Sequence, residues 1–208
     1  MKKIMFNDRF NLTRLVLEGR KNMTRRFINS DYSSIIVSEG KYLGVVGNEE
    51  EYIRIVPKYE IGEIVAIAQP YKTVCQDDWK ALLSHYPDLA EREDAECLAG
   101  WNNKLFVQAD LMINHIRITN IKADRLQNIS EKDCLNEGIT RTIHKSADGE
   151  WARYYWYHGV TKTNCPHGQY KEYDTATEAF ANLINEIGGK GTWERNPFVM
   201  VYEFELVK

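Results

Sequence analysis

Gly19-Arg20-Lys21-Asn22-Met23-Thr24-Arg25-Arg26 is the stretch on which the reading of this 208-residue chain turns. Its spacing is G-x-K-x-x-T-x-R, with Gly19, Lys21, Thr24 and Arg26 at the fixed points. A lysine and a threonine three apart lie on one side of a helical turn or tight loop. An ammonium beside a hydroxyl can activate a nucleophile once the lysine is desolvated enough to lose its proton. Arg20, Arg25 and Arg26 add planar donor forks for phosphate or carboxylate. The other reading is a solvated basic helix end, since cations suit the last turn of a helix.

Working outward, Lys3 to Phe6 is a short strand, and Asn7-Asp8 caps a helix with Leu12, Leu15 and Val16 on one face. Gly19 stops that helix, so the motif is expected at its C-terminus and in the loop beyond. Residues Tyr32 to Val56 read as a three-stranded meander with turns at Glu39-Gly40 and Gly47-Asn48. Ile61 to Ala68 is a further strand. Gln76 to Leu98 is acidic and reads as two short helices. A longer strand covers Ile113 to Ile121. Ser130 opens a helix that ends at Glu137-Gly138, with Asp133 as an imperfect capping box. Thr142 to Asp174 is rich in aromatic residues and has no steady period, so it reads as an inserted loop region. Thr175 to Ile187 is an amphipathic helix, and Phe198 to Leu206 is an alternating closing strand, expected at the centre of its sheet beside the first.

Six or seven strands with interspersed helices suit a small α+β domain better than a doubly wound sheet, which needs regular βα alternation. The expectation is one domain over residues 1–208, with insertions at about 72–104 and 141–174. The aromatic share, 12% with 12 Tyr and 5 Trp, fits a β-rich core or a surface that stacks planar ligands. A net charge of −3 argues against a chain coated in nucleic acid but leaves room for a local basic patch. No apolar run reaches the ~18 residues of a membrane helix, and no apolar segment follows Lys2-Lys3 as in a signal peptide. Cys75, Cys97, Cys134 and Cys165 make no C-x-x-C, which reads as reduced thiols in a cytoplasmic protein. Cys165-Pro166-His167 is too small a fragment for a metal site, so neither metal nor cofactor is expected.

Four ordered pieces of this chain resemble the ASCH family of the PUA-like superfamily. They are the 19–26 motif, Tyr59-x-x-Gly62-Glu63-Ile64, the run from Ile118-Thr119 through Arg125-Leu126-Gln127-Asn128-Ile129-Ser130 to Gly138-Ile139, and Phe180 onward through Trp193-Glu194-Arg195-Asn196-Pro197 into the closing strand. Together they cover about half of the chain, and the last two look like the larger phage and prophage members. The resemblance implies a PUA-like mixed β-barrel with helices at its ends and a cleft over the basic motif. It also implies RNA, a nucleotide or a nucleoside as partner. A small bacterial member of the family is an amidohydrolase that removes the acetyl group from acetylcytidine. Its lysine, threonine and acidic residue match Lys21, Thr24 and Glu137. Where phage-type relatives carry Arg-Glu-Thr-Trp, this chain has Ala68-Gln69-Pro70-Tyr71, which makes Gln69 and Tyr71 candidate ligand contacts beside Arg20, Arg25 and Arg26.

Amide hydrolysis needs a nucleophile, a proton acceptor and a donor to the leaving amine. Thr24 offers the hydroxyl or holds a water. Lys21 serves as base only if its pKa falls from about 10.4 to roughly 7–8, about 3–5 kcal/mol of disfavoured charge. Glu137 returns the proton. Two other readings are a non-catalytic binding module, with the aromatic insertion stacking a base, and a ribonuclease whose cations stabilise a phosphorane.

Overall fold

A computed structural model of the chain describes residues 1–28, 32–47, 51–74, 99–145, 148–159 and 170–207. The proposed helices of the acidic segment from Gln76 to Leu98, together with Cys165-Pro166-His167, lie outside them. The described chain is α+β. Its strands are β1 (Lys3–Ile4), β2 (Met23–Phe27), β3 (Ser34–Ser38), β4 (Lys41–Val46), β5 (Glu51–Ile55), β6 (Ile64–Ile67), β7 (His115–Arg125), β8 (Thr140–Lys145), β9 (Trp151–Trp156) and β10 (Phe198–Val207). Its α-helices include α1 (Leu12–Leu17), α2 (Glu131–Asn136), α3 (Ala176–Gly188) and α4 (Thr192–Arg195).

The main sheet runs β1-β6-β7-β10-β2, with β1 parallel to β6 and every other pair antiparallel. β10 lies inside this sheet because Val199 to Tyr202 form a continuous apolar run that is buried on both faces. Its neighbours are β7 and β2, so the expected place beside the first strand is wrong; β1 is an edge. Among the described residues the ladders leave β1 and β2 unjoined, and no pairing closes the sheet into a barrel. β7 carries an irregularity where Phe204 pairs Ile118 directly after Glu203 pairs Asn120, so Thr119 is skipped. The alternation that buries Ile116 and Ile118 therefore changes phase before Ile121.

The main core lies between this sheet and helices α1 and α3, with Leu15, Ile67, Ile118, Leu126, Phe180 and Leu183 fully inside. Thr175 caps α3 by accepting from the Glu178 amide, and Ala179, Phe180, Leu183 and Ile184 form its buried stripe. Ile187, in the last turn, is 40% exposed. A smaller core gathers Ala66, Ala68, Tyr71, Val74, Val107 and Met112. β3, β4 and β5 make the separate meander that the turns had marked.

Two readings are overturned. The basic motif is not a helix end: α1 stops at Leu17, and Thr24, Arg25 and Arg26 lie in β2, paired with Tyr202, Val201 and Met200. Edge pairing with an apolar strand outweighs the weak helical preference of this short segment. The region after Thr142 is not loop throughout. β8 and β9 form an antiparallel hairpin from Thr140 to Trp156. Its period is hidden because aromatic residues occupy both faces, so apolar and polar positions do not alternate.

Candidate active site

The site starts from two chain reversals. Gly19, with φ of 70°, ends α1 and sends the chain through Lys21 into β2. Gly138, with φ of 107°, ends α2, and a Cβ there would stand 3.0 Å from Leu15 Cδ1. Only glycine allows this turn and this approach, which lays the end of α2 against α1 and the start of β2. The Asn22 amide then donates to Asn136 O at 3.0 Å and fixes the junction.

Lys21 and Glu137, 116 residues apart, meet there. Lys21 is 2% exposed and Glu137 5%. Lys21 Nζ donates to Glu137 Oε2 at 2.6 Å, to the Glu137 carbonyl at 2.7 Å and to the Met23 carbonyl at 2.7 Å. All three ammonium protons are thus engaged, one of them on a helix C-terminal carbonyl, where a cation is favoured. The second carboxylate oxygen, Oε1, accepts from Arg25 Nη1 at 3.1 Å, and Arg25 Nη2 reaches Asp133 Oδ2 at 3.3 Å. Asp133 and Glu137 are four apart on one side of α2, which is why one guanidinium can span them. Ser130 caps α2 through the Asp133 amide, as the sequence indicates.

Burial pulls the Lys21 ammonium below its ordinary pKa. The Glu137 carboxylate opposes that shift, and Arg26 and Arg25 add to it by like-charge repulsion.

Thr24 is buried and sits on the other face of β2 from Arg25, with Arg26 and opposite Tyr202. Its hydroxyl makes no hydrogen bond among the described residues. Arg26 Nη2 donates to Met5 O at 2.6 Å, which bridges the edge strand to the segment leaving β1. Arg26 and Lys21 both approach the Phe6 ring, at 5.7 and 5.9 Å from its centroid. Beside Arg26 and Tyr202 opens a cleft of about 290 Å³ whose walls include Met5, Arg26, Lys58, Tyr59, Met200 and Tyr202, but not Lys21, Thr24 or Glu137. Tyr59 and Tyr202 stand edge to face at 5.1 Å. A second cleft of about 790 Å³ shares Phe27 and Ile28 with it and carries Arg125 and Arg195.

Of the sequence candidates, Lys21, Glu137 and Arg25 come together, with Thr24 and Arg26 on the adjoining face. Arg25 is no surface ligand contact, because its side chain is spent inside the network. Arg20 lies at the rim and donates to Thr140 Oγ1 at 2.9 Å. Gln69 and Tyr71 stand apart: Gln69 is buried and accepts from Asn114 Nδ2 at 2.8 Å, and the Tyr71 hydroxyl accepts from the Gln108 amide inside the smaller core. Neither lines these two clefts. Sequence reasoning missed Asp133, Tyr59 and Tyr202 as parts of the site. The i, i+4 relation of Asp133 to Glu137 was available as a signal; Tyr202 needed the register of β10 on β2. Comparison with family models, with curated proteins and with solved structures finds no match to this chain.

Proposed function

We propose that this protein is an amidohydrolase that removes the acyl group from an acylated nucleobase or nucleoside, with Lys21, Thr24 and Glu137 as its working residues and the ASCH-type resemblance as its frame. The observation that carries the reading is the buried 2.6 Å contact between Lys21 Nζ and Glu137 Oε2, with Lys21 also donating to the carbonyl of Met23, the residue before Thr24. Transfer of one proton across that contact leaves an amine and a carboxylic acid. The amine takes the proton of Thr24, or of a water that Thr24 holds, as the oxygen attacks the acyl carbon. The acid gives its proton to the leaving amine as the C–N bond breaks. Where Thr24 itself attacks, its ester is then cleaved by a water that gives a proton to the Lys21–Glu137 pair, and the threonine oxygen takes that proton back as the carboxylic acid leaves. Net, one water is consumed, and one carboxylic acid and one amine are released.

The adjoining cleft of about 290 Å³ is near the lower end of the ~300–1,000 Å³ of small-ligand pockets and suits a single base. Arg26 and two tyrosines give it a donor fork and aromatic walls. A PUA-like barrel is also part of the proposal. The bridge from Arg26 to Met5 O spans from the β2 edge to the segment after β1, as in a sheet curled most of the way round.

A second reading is a binding module for RNA or a modified nucleotide. It is favoured by the saturation of Lys21, whose three protons all have acceptors, and by Arg25 holding the other Glu137 oxygen. A purely structural tie would look the same at rest. Incubation with acetylcytidine, following cytidine and acetate by chromatography, separates the two. Stoichiometric release of both is expected. A folded protein that releases neither above a buffer blank loses the hydrolase reading and keeps the second.

A further inference from the structure

The β8–β9 hairpin has two unlike faces. Thr140, Thr142, His144, Ala152, Tyr154 and Trp156 share one by register. That face is covered by the chain from Tyr170 onward: Trp156 stacks on Tyr170 at 4.2 Å, and His144 Nε2 lies 2.9 Å from Glu172 Oε1. The opposite face carries Arg141, Ile143, Lys145, Trp151 and Arg153, all exposed, with Trp151 70% exposed and Ile143 57%. None of its three cations forms an ion pair among the described residues. Glu131 is engaged by the Tyr155 hydroxyl at 2.6 Å. Arg141 pairs Tyr155 and Ile143 pairs Arg153, so the two guanidiniums are diagonal neighbours, with Cα atoms roughly 7–8 Å apart. Like charges so placed repel, and an anion lying between them removes that cost.

We infer that this face binds single-stranded nucleic acid, with Arg141, Arg153 and Lys145 on phosphates and Trp151 stacking a base. Planar forks match phosphate bidentately. An exposed indole beside them offers a stacking platform that a duplex, with its bases already stacked, cannot use. The hairpin leaves the chain three residues after Glu137, and its first residue, Thr140, is tied to Arg20 at the site rim. The hairpin's binding stands independently of the proposed function.

The test is anisotropy of a labelled twelve-residue oligouridylate between 50 and 200 mM salt. Three phosphate contacts give a log–log slope of about −2, at roughly −0.7 per contact on a single strand. Arg141→Ala with Arg153→Ala should bring it to about −0.7, and Trp151→Ala should weaken binding about five- to hundredfold. Hydrolysis of free acetylcytidine should be unchanged in all these variants, so failure of the hydrolase reading and failure of this one are told apart. Variants that bind as wild type does overturn the inference. So does binding confined to duplex or to anionic lipid vesicles.

Discussion

Two sets of basic residues, one inside the molecule and one on its surface, use the same chemistry to opposite ends. Lys21 and Arg25 are buried, and the Lys21 ammonium and both terminal nitrogens of Arg25 meet carboxylates or carbonyls at the junction of α2 and β2, while Arg25 Nε has no partner among the described residues. Arg141, Lys145 and Arg153 stand in solvent on β8 and β9 with no carboxylate partner among the described residues. A buried cation must be answered by the fold itself, or the desolvation is never repaid. A solvated one can wait for an outside anion at almost no cost to stability. The contrast separates a place where charge holds the chain together from one where it is available to a ligand.

The sharpest way to break this contrast is Glu137→Ala. It strands Lys21 and Arg25 in the interior and should destabilise by about 3–5 kcal/mol, read from urea unfolding. A loss below about 1 kcal/mol would mean that the network is not what joins α2 to β2. Lys21→Ala should also be costly. A solvent-accessible lysine would have made that change cheap, and burial reverses the expectation.

A second effect concerns pH. Burial pushes the Cys134 thiol, on α2, from 9.0 up to about 12, and Tyr59 from 10.0 to about 12. Each holds its proton more firmly folded than unfolded. Their contribution is therefore whole below about pH 9 and is lost as pH climbs toward 12. Lys21 acts with the opposite sign, because its lowered pKa favours the folded state as pH rises. The melting temperature should fall from pH 8 to pH 10.5, and less steeply in Cys134→Ala. Parallel curves for the two proteins would remove Cys134 from this explanation.

Much of the frame was legible in the sequence. The meander, the Ser130 and Thr175 caps, α3 and the closing strand all follow from local chemistry that the tertiary structure does not override. The meeting of Lys21 with Glu137 came from resemblance; spacing alone cannot bring together residues 116 apart. What stayed hidden depends on pairing. The conversion of 23–27 from helix end to strand is decided by β10, far along the chain. The burial of Gln69 and Tyr71 is decided by Val107 and Met112. The hairpin at 140–156 was masked because both of its faces are aromatic.

Two smaller effects sharpen the comparison further. Ser130→Ala removes the cap of the helix that carries Asp133 and Glu137, and should cost about 1 kcal/mol. Arg141→Ala with Arg153→Ala should change stability by less than about 0.5 kcal/mol, since surface changes away from ties seldom do more. Equal losses from these two substitutions, read on one urea series, would erase the distinction between tie and free surface.

The most direct measurement is the rate of cytidine release from acetylcytidine by wild type and by Thr24→Val, a change of similar shape that removes only the hydroxyl. Release by wild type, a loss of at least about a hundredfold in Thr24→Val and nearly equal urea midpoints for both would place the chemistry at the Thr24 hydroxyl. Equal rates in the two proteins, or no release by folded wild type, would contradict it and leave the buried pair as a structural tie.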